Sequence, residues 1–213
     1  AGRRSSGHGS GCAVSEGQAS TKVAVGGVAI AVRTAVAGLT LSAAGFLAWT
    51  TSEGFTKNPV IPTKGDVPTI GHGSTRYEDG TPVKMTDPPI TRERAAALAR
   101  NLNSEEERRF QASLPGVQLT QGEFDVYVDF TGNYGIGNWR GSSMRRNLLA
   151  TVTAKEADRA GLYKAACNSL LRYRYAANYD CSTLVNGKPN KRCWGVWDRQ
   201  LERHQKCMKE QGK

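Results

Sequence analysis

The stretch EGFTKNPVIPTKGDVPTIGHGST, residues 53–75, decides how the rest of the chain is read. Glu53-Gly54-Phe55 sets a lone carboxylate at the point where a long apolar run ends and a turn-rich region begins. Lys64-Gly65-Asp66, Gly71-His72-Gly73 and Asp79-Gly80 punctuate that region, and Val67–Ile70 and Pro82–Met85 are the short runs between them. That alternation predicts short antiparallel strands joined by tight turns. A glutamate on a helix end facing a small sheet across a cleft suits the splitting of a glycosidic bond. Such chemistry needs one carboxyl kept protonated for the leaving oxygen, and a second polar group managing water or positive charge. Burial beside apolar groups favours the protonated form. A helix-terminal surface glutamate is the bland alternative, and these residues alone leave both open.

C-terminal to this stretch, helical signals take over. Thr91 can cap a helix from Arg92 to Arg109, with Ala95, Leu98, Ala99 and Leu102 at helical spacing. Thr120-Gln121-Gly122-Glu123 is a capping-box pattern, and Leu119 and Phe124 stand where a hydrophobic staple would pack. Thr153-Ala154-Lys155-Glu156 repeats that pattern before a helix expected to reach about Ala177. A last helix is expected around Trp197–Met208. The domain therefore reads as α+β, a small antiparallel sheet lobe followed by a larger helical lobe.

On the N-terminal side, Val23–Thr50 contains no acidic residue and one base, Arg33. The uncharged stretch 34–50 is near the shortest length able to cross a bilayer, yet it is rich in Ala, Gly, Ser and Thr. It fits a signal peptide with Arg33 as its basic flank, a buried core helix, or a weak membrane anchor. Residues 1–22 are Gly/Ser/Arg-rich and read as a tail with little to bury.

Twenty-nine basic against 19 acidic residues give a net charge of +10 over 213 residues, which favours an anionic partner. A hydrophobic content of 38% excludes both a multi-span membrane protein and a wholly disordered chain. Nucleic acid is not the expected partner. The best basic-aromatic run, Leu171–Tyr175, is short and reads better as a helix with Arg outside and Tyr/Leu inside. His8, His72 and His204 are too scattered for a zinc site, so no metal is expected. No GxSxG nucleophile elbow is present.

Two blocks carry a family resemblance. Glu53-Gly54-Phe55 with Asp66-Val67-Pro68-Thr69-Ile70-Gly71-His72-Gly73-Ser74-Thr75 resembles the catalytic region of phage-type lysozymes, the endolysins of glycoside hydrolase family 24. Leu119–Phe130 followed by Asn133-Tyr134-Gly135-Ile136-Gly137-Asn138-Trp139 and Ser142-Ser143-Met144 is similar to the helical lobe of that family. Gly195-Val196-Trp197-Asp198-Arg199-Gln200 resembles its closing helix. The likeness runs from about Glu53 to Met208, with its motifs in order.

The resemblance implies a lysozyme-like α+β fold preceded by an apolar helix, with a catalytic domain over residues 53–213 and a signal-anchor-like segment over 23–52. It implies a muramidase that cleaves the β-1,4 bond between N-acetylmuramic acid and N-acetylglucosamine, without a cofactor. Glu53 takes the place of the family's acid and Thr69 that of its threonine. The aspartate does not map cleanly, because Pro62 and Thr63 stand at its spacing. Asp66, in a loop one residue longer, is the favoured replacement, and Thr63 the alternative. His72 and Asn133 are expected to line the substrate. Export to the periplasm or inner membrane, with residues 34–50 in the membrane before release, is part of the same expectation. So is a monomer acting on peptidoglycan. Export to an oxidising compartment suits pairings of Cys181 with Cys193 and Cys167 with Cys207, leaving Cys12 unpaired, although four cysteines allow three connectivities. The rivals are a wall-binding protein without catalysis and a lytic transglycosylase using Glu53 alone.

Overall fold

The computed structural model describes the backbone of residues 24–25 and 28–29 and the whole of residues 32–212. In the N-terminal unit Ala24–Val25 (β1) and Val28–Ala29 (β2) form a two-residue antiparallel ladder. The tail expected over residues 1–22, including His8 and Cys12, lies outside the described residues.

The main unit begins with a strap. Thr34–Ala35 (β3) pairs antiparallel with Gln118–Leu119 (β6), and Val36 follows into the core at 1% exposure. Gln111 and Gln121 donate side-chain hydrogen bonds to the carbonyls of Leu39 and Thr40, which holds the strap down. Ser42 then caps Ala43–Glu53 (α1), accepting from the Gly45 N–H at 2.9 Å while bonding Asp125. In this structure residues 34–50 are not one continuous helix. The run is divided into a strand, a 3₁₀ turn at Val36–Gly38 and the 11-residue α1. At about 1.5 Å per residue, α1 is about 16 Å long, half a bilayer's hydrocarbon core. Among the described residues no helix is long and apolar enough to cross a membrane.

Thr56–Val60 (β4) and Thr69–Gly71 (β5) form the antiparallel hairpin of the small lobe, in the register Val60↔Thr69 and Thr56↔Gly71. The expected strand at Pro82–Met85 is reduced to a single bridge between Arg76 and Pro82. Tyr77, bonded to Asp87, packs with Ile90 and Leu102 around a core of Ile70, Val83 and Leu98. Gly71, at φ +68°, lets β5 press on the next helix, where a Cβ would come within 2.9 Å of the Ala95 methyl.

That helix, Arg92–Ala112 (α2), is capped by Thr91, which accepts from the Arg94 N–H. It gives Leu98 to the small-lobe core and Phe110 to the large one. The two sites are about 18 Å apart along the helix axis, so α2 is the beam joining the lobes. Gln121–Gly141 (α3) starts with the expected capping box, Thr120 and Glu123 bonding each other's backbone N–H. The staple residues Leu119 and Phe124 are both fully buried. α3 bends at Gly135 and carries the main aromatic core, in which Phe110 meets Phe124 edge-on at 5.4 Å and Trp139 at 4.8 Å. Trp139 donates to Ser113 at 2.8 Å, so its polar tip is satisfied inside the core.

Ser143–Ala150 (α4) and Glu156–Ser169 (α5) complete the bundle with Trp194–Lys209 (α6). The expected helix to Ala177 stops early. α5 ends at Ser169, a 3₁₀ turn covers Leu170–Arg172, and the chain turns into the hairpin Tyr175–Ala176 (β7) and Tyr179–Asp180 (β8). The cause is packing: Tyr173 is drawn onto Phe130 and Tyr134, with centroids 4.6 and 5.3 Å away. The expected cap at Thr153 is absent, and Lys155 precedes the helix without a side-chain cap. A second small ladder, Leu184–Val185 (β9) with Lys188–Pro189 (β10), precedes α6. Disulfides join Cys167 to Cys207 and Cys181 to Cys193, the pairings expected from the sequence.

Candidate active site

Glu53 is the last residue of α1, and Gly54 ends the helix with a φ of +73° that favours glycine. The Gly54 carbonyl accepts from His72 Nδ1, which ties the helix end to the turn after β5 and fixes the imidazole with its proton on Nδ1. The Glu53 carboxyl lies over that turn, since a Cβ on Gly73 would be 3.5 Å from Oε2.

Four charged or titratable groups face it. Asp129 comes from α3, Arg199 and Arg203 from α6, and His72 from the sheet lobe. Glu53 as a residue is exposed at the cleft edge, which limits how far burial can act on it. Even so, partial burial of the carboxyl, and secondarily the Asp129 charge, raise its pKa above the ordinary carboxylate range. Arg199, Arg203 and His72 oppose the shift. The carbonyl-rich end of α1 also disfavours a negative charge there. Asp129 is bonded to Arg203 at 2.6 Å, and Arg203 is nearly buried.

Two hollows flank this glutamate. A cavity of about 430 Å³ lies between the lobes and is lined by Trp49, His72, Gly73, Arg76, Asn103 and Glu106, with Thr131, Gly132, Gly135 and Ile136 of α3 opposite. A groove of about 360 Å³ runs along α6, with Ser52, Asp129, Arg199 and Arg203 at its wall. Ser52 lines the groove and Trp49, one turn before Glu53 on the same helix face, lines the cavity, while Glu53 itself stands at the cleft edge and lines neither.

The residues expected from the sequence divide into two sets. Glu53 and His72 come together at the cleft. Thr69 opens β5 half-buried, and its hydroxyl donates to the Val60 carbonyl at 3.4 Å. Asp66 and Thr63 are exposed in one turn of the β4–β5 loop, the Asp66 N–H donating to the Thr63 carbonyl at 2.9 Å. Asn133 is exposed on α3 and its amide donates to the Asp129 carbonyl at 3.3 Å. None of Thr63, Asp66, Thr69 and Asn133 lines the 430 Å³ cavity.

The sequence reading did not single out Trp49, Asp129 or Arg203. The four-residue spacings of Trp49 with Glu53 and Arg199 with Arg203 were the available signals, since i and i+4 share a helix face. The contact between Asp129 and Arg203 depends on how α3 meets α6 and has no local signature.

A small sheet lobe, a beam helix, a helical lobe and a glutamate of raised pKa at the cleft between them define a lysozyme-type glycoside hydrolase. The phage lysozyme family model matches residues 50–192, and the chain belongs to that family. It is accordingly a lysozyme acting on bacterial peptidoglycan. No curated protein matches the chain significantly in sequence. Among solved structures, a P22 lysozyme mutant is 22% identical with a TM-score of 0.60, covering 80% of this chain and 99% of that one. An endolysin from Escherichia coli O157:H7 phage FAHEc1 is 24% identical, TM-score 0.57, over 80% and 94%. The muramidase domain of SpmX from Asticaccaulis excentricus is 19% identical, TM-score 0.58, over 80% and 98%. These likenesses show the shared fold.

Proposed function

We propose that the chain is an endolysin that hydrolyses the β-1,4 bond between N-acetylmuramic acid and N-acetylglucosamine, with Glu53 as general acid. The observation that carries this reading is the Glu53 carboxyl lying over Gly73 at the cleft edge, its pKa raised by burial and by Asp129. Held in part as the acid, Glu53 hands its proton to the glycosidic oxygen as the bond to the anomeric carbon breaks. Asp66, on the exposed loop of the hairpin, faces the sugar ring once substrate is seated, where it stabilises the oxocarbenium-like carbon or activates water. Thr69 orders that water, and His72 and Asn133 border the bound glycan.

Export precedes action on the wall. The acid-free run over residues 34–50 serves as the exported, membrane-held segment before it folds as strap and α1, and the two disulfides suit an oxidising compartment. The enzyme works as a monomer, and its net charge of +10 keeps it near anionic wall, an attraction that weakens with salt. The test is Glu53→Gln on purified peptidoglycan, read by reducing ends and by mass spectrometry. The variant is expected to keep the fold and release no products, and full activity would remove the assignment. Anhydro-muramic ends from the wild-type enzyme would instead select the transglycosylase reading.

A further inference from the structure

A third hollow, about 500 Å³, lies away from Glu53 between α4, α5 and the 3₁₀ turn after α5, and is lined by Ser143, Arg146, Asn147, Asn168, Ser169 and Arg172. Its chemistry is almost entirely that of a donor. Arg146 Nη2 and Arg172 Nη1 both donate to the Ser143 hydroxyl oxygen, at 2.8 and 2.9 Å. Arg146 is braced from behind by a bond from Nη1 to the Gly141 carbonyl at 2.8 Å. With both lone pairs of Ser143 engaged, its own O–H hydrogen is left to point outward. The Asn168 carbonyl oxygen is occupied by His204 at 2.9 Å, which leaves its amide hydrogens for the hollow.

Among the described residues neither Arg146 nor Arg172 forms an ion pair. Two guanidinium groups on one hydroxyl lie well inside a Debye length of ~8 Å, so they repel each other. A fold that brings two uncompensated cations together around an outward O–H is short of one doubly charged acceptor.

We propose that this hollow is a phosphate-binding site, in which Ser143, Arg146 and Arg172 cradle a phosphate group from three directions. A phosphate monoester carries a charge of about −1.5 to −2 and three acceptor oxygens, which answers both cations and the hydroxyl. A carboxylate answers one cation and prefers a parallel fork, which two separate arginines meeting at a hydroxyl do not present. The phosphate is carried either by a lipid headgroup or by a soluble phosphate compound.

The test is an NMR titration of the full chain with inorganic phosphate at constant ionic strength, with acetate and chloride as controls. Saturable shifts confined to residues 143–147 and 168–172 are expected, with affinity at least about tenfold weaker in R146Q/R172Q and weaker still for acetate. Muramidase turnover on soluble substrate is expected to be the same in both proteins, because neither arginine lines the cleft. If the double variant does not fold, R172Q alone serves, since Arg172 is exposed. Cosedimentation with vesicles of phosphatidylglycerol, against phosphatidylcholine, separates the sources. Retention that R146Q/R172Q abolishes assigns a lipid headgroup, and retention indifferent to it, with phosphate binding intact, assigns a soluble one. Shifts that do not saturate, that acetate reproduces at equal strength, or that survive R146Q/R172Q would overturn the proposal.

Discussion

Arg33→Ala tests the reasoning about the strap most sharply, because a basic residue beside an apolar run reads in sequence as the flank of a signal. In the folded chain Arg33 donates two hydrogen bonds to Glu123, at 3.0 and 2.7 Å, and its guanidinium stacks 3.7 Å over the Tyr163 ring. Glu123 is completely buried, and among the described residues its carboxylate is held, apart from Arg33, by the Thr120 N–H and the Gln211 amide. Removing one partner of a buried pair costs about 3–5 kcal/mol. The Arg33 side chain is 24% exposed and Glu123 keeps two neutral donors, which places the loss near the lower end. The lost stacking on Tyr163 adds about 0.5–1 kcal/mol. A total of about 3.5–4 kcal/mol corresponds, for a domain of this size, to a fall in Tm of about 7–16 °C. Urea unfolding of Arg33→Ala, Glu123→Gln and the double variant measures both the loss and the coupling, which should be at least about 1.5 kcal/mol. A loss under about 1 kcal/mol, or additive single effects, would refute the claim that this pair clamps the strap to α3. Arg33→Lys should fall between, since it keeps the charge and loses the fork.

The remaining expectations concern the site and the bridges. Asp129→Asn removes the second cause of the raised Glu53 pKa and leaves Arg199, Arg203 and His72 to lower it, so the alkaline limb of kcat/KM should move to lower pH; an unmoved limb would dissociate Asp129 from Glu53. Because the folded protein binds the Glu53 proton more tightly than the unfolded chain, stability should fall as pH rises from the ordinary carboxylate range through the raised value. Glu53→Gln should flatten that fall in a melting series while abolishing activity. Asp66→Asn is expected to lower turnover at least about 100-fold and Thr63→Ala less than about tenfold, and the reverse order in a reducing-end assay would hand the second role to Thr63. Cys167–Cys207 closes a separation of 40 residues and Cys181–Cys193 one of 12, so their loss should cost about 4 and about 3 kcal/mol by chain entropy. Denaturation of Cys→Ser pairs in the absence of reductant checks that order.

Much of the architecture was legible along the chain because its signals are local. The box at Thr120–Glu123, the Thr91 cap and the spacing of Leu98, Ala99 and Leu102 each act within a turn or two of helix, and all stand as read. The hairpin that carries Thr69 came from Gly65 and Gly71 in the same way. Where the reading failed, a distant contact outweighed a local preference. Tyr173 leaves helix to reach Phe130 and Tyr134, and the run at residues 34–50 breaks because Leu119 and Gln118 offer it a strand partner. At the site, Glu53 and His72 were visible as a motif, whereas Trp49 and the Asp129–Arg203 pair were not, since their meaning depends on which helix faces them.

By itself, then, the sequence determined the order of elements, the sheet-then-helices division and the candidate acid, which rest on short spacings or on motifs in sequence, whereas of the three cysteine connectivities it left open the structure holds Cys167–Cys207 and Cys181–Cys193. Only the tertiary structure decided that Arg33 is a half-buried clamp, that Glu53 is tuned by α3 and α6, and that two arginines meet over Ser143. Those are relations between charges, and a charge is read by what surrounds it in space: the same side chain is a solvated flank in water and a structural ion pair when a buried carboxylate lies 2.7 Å away.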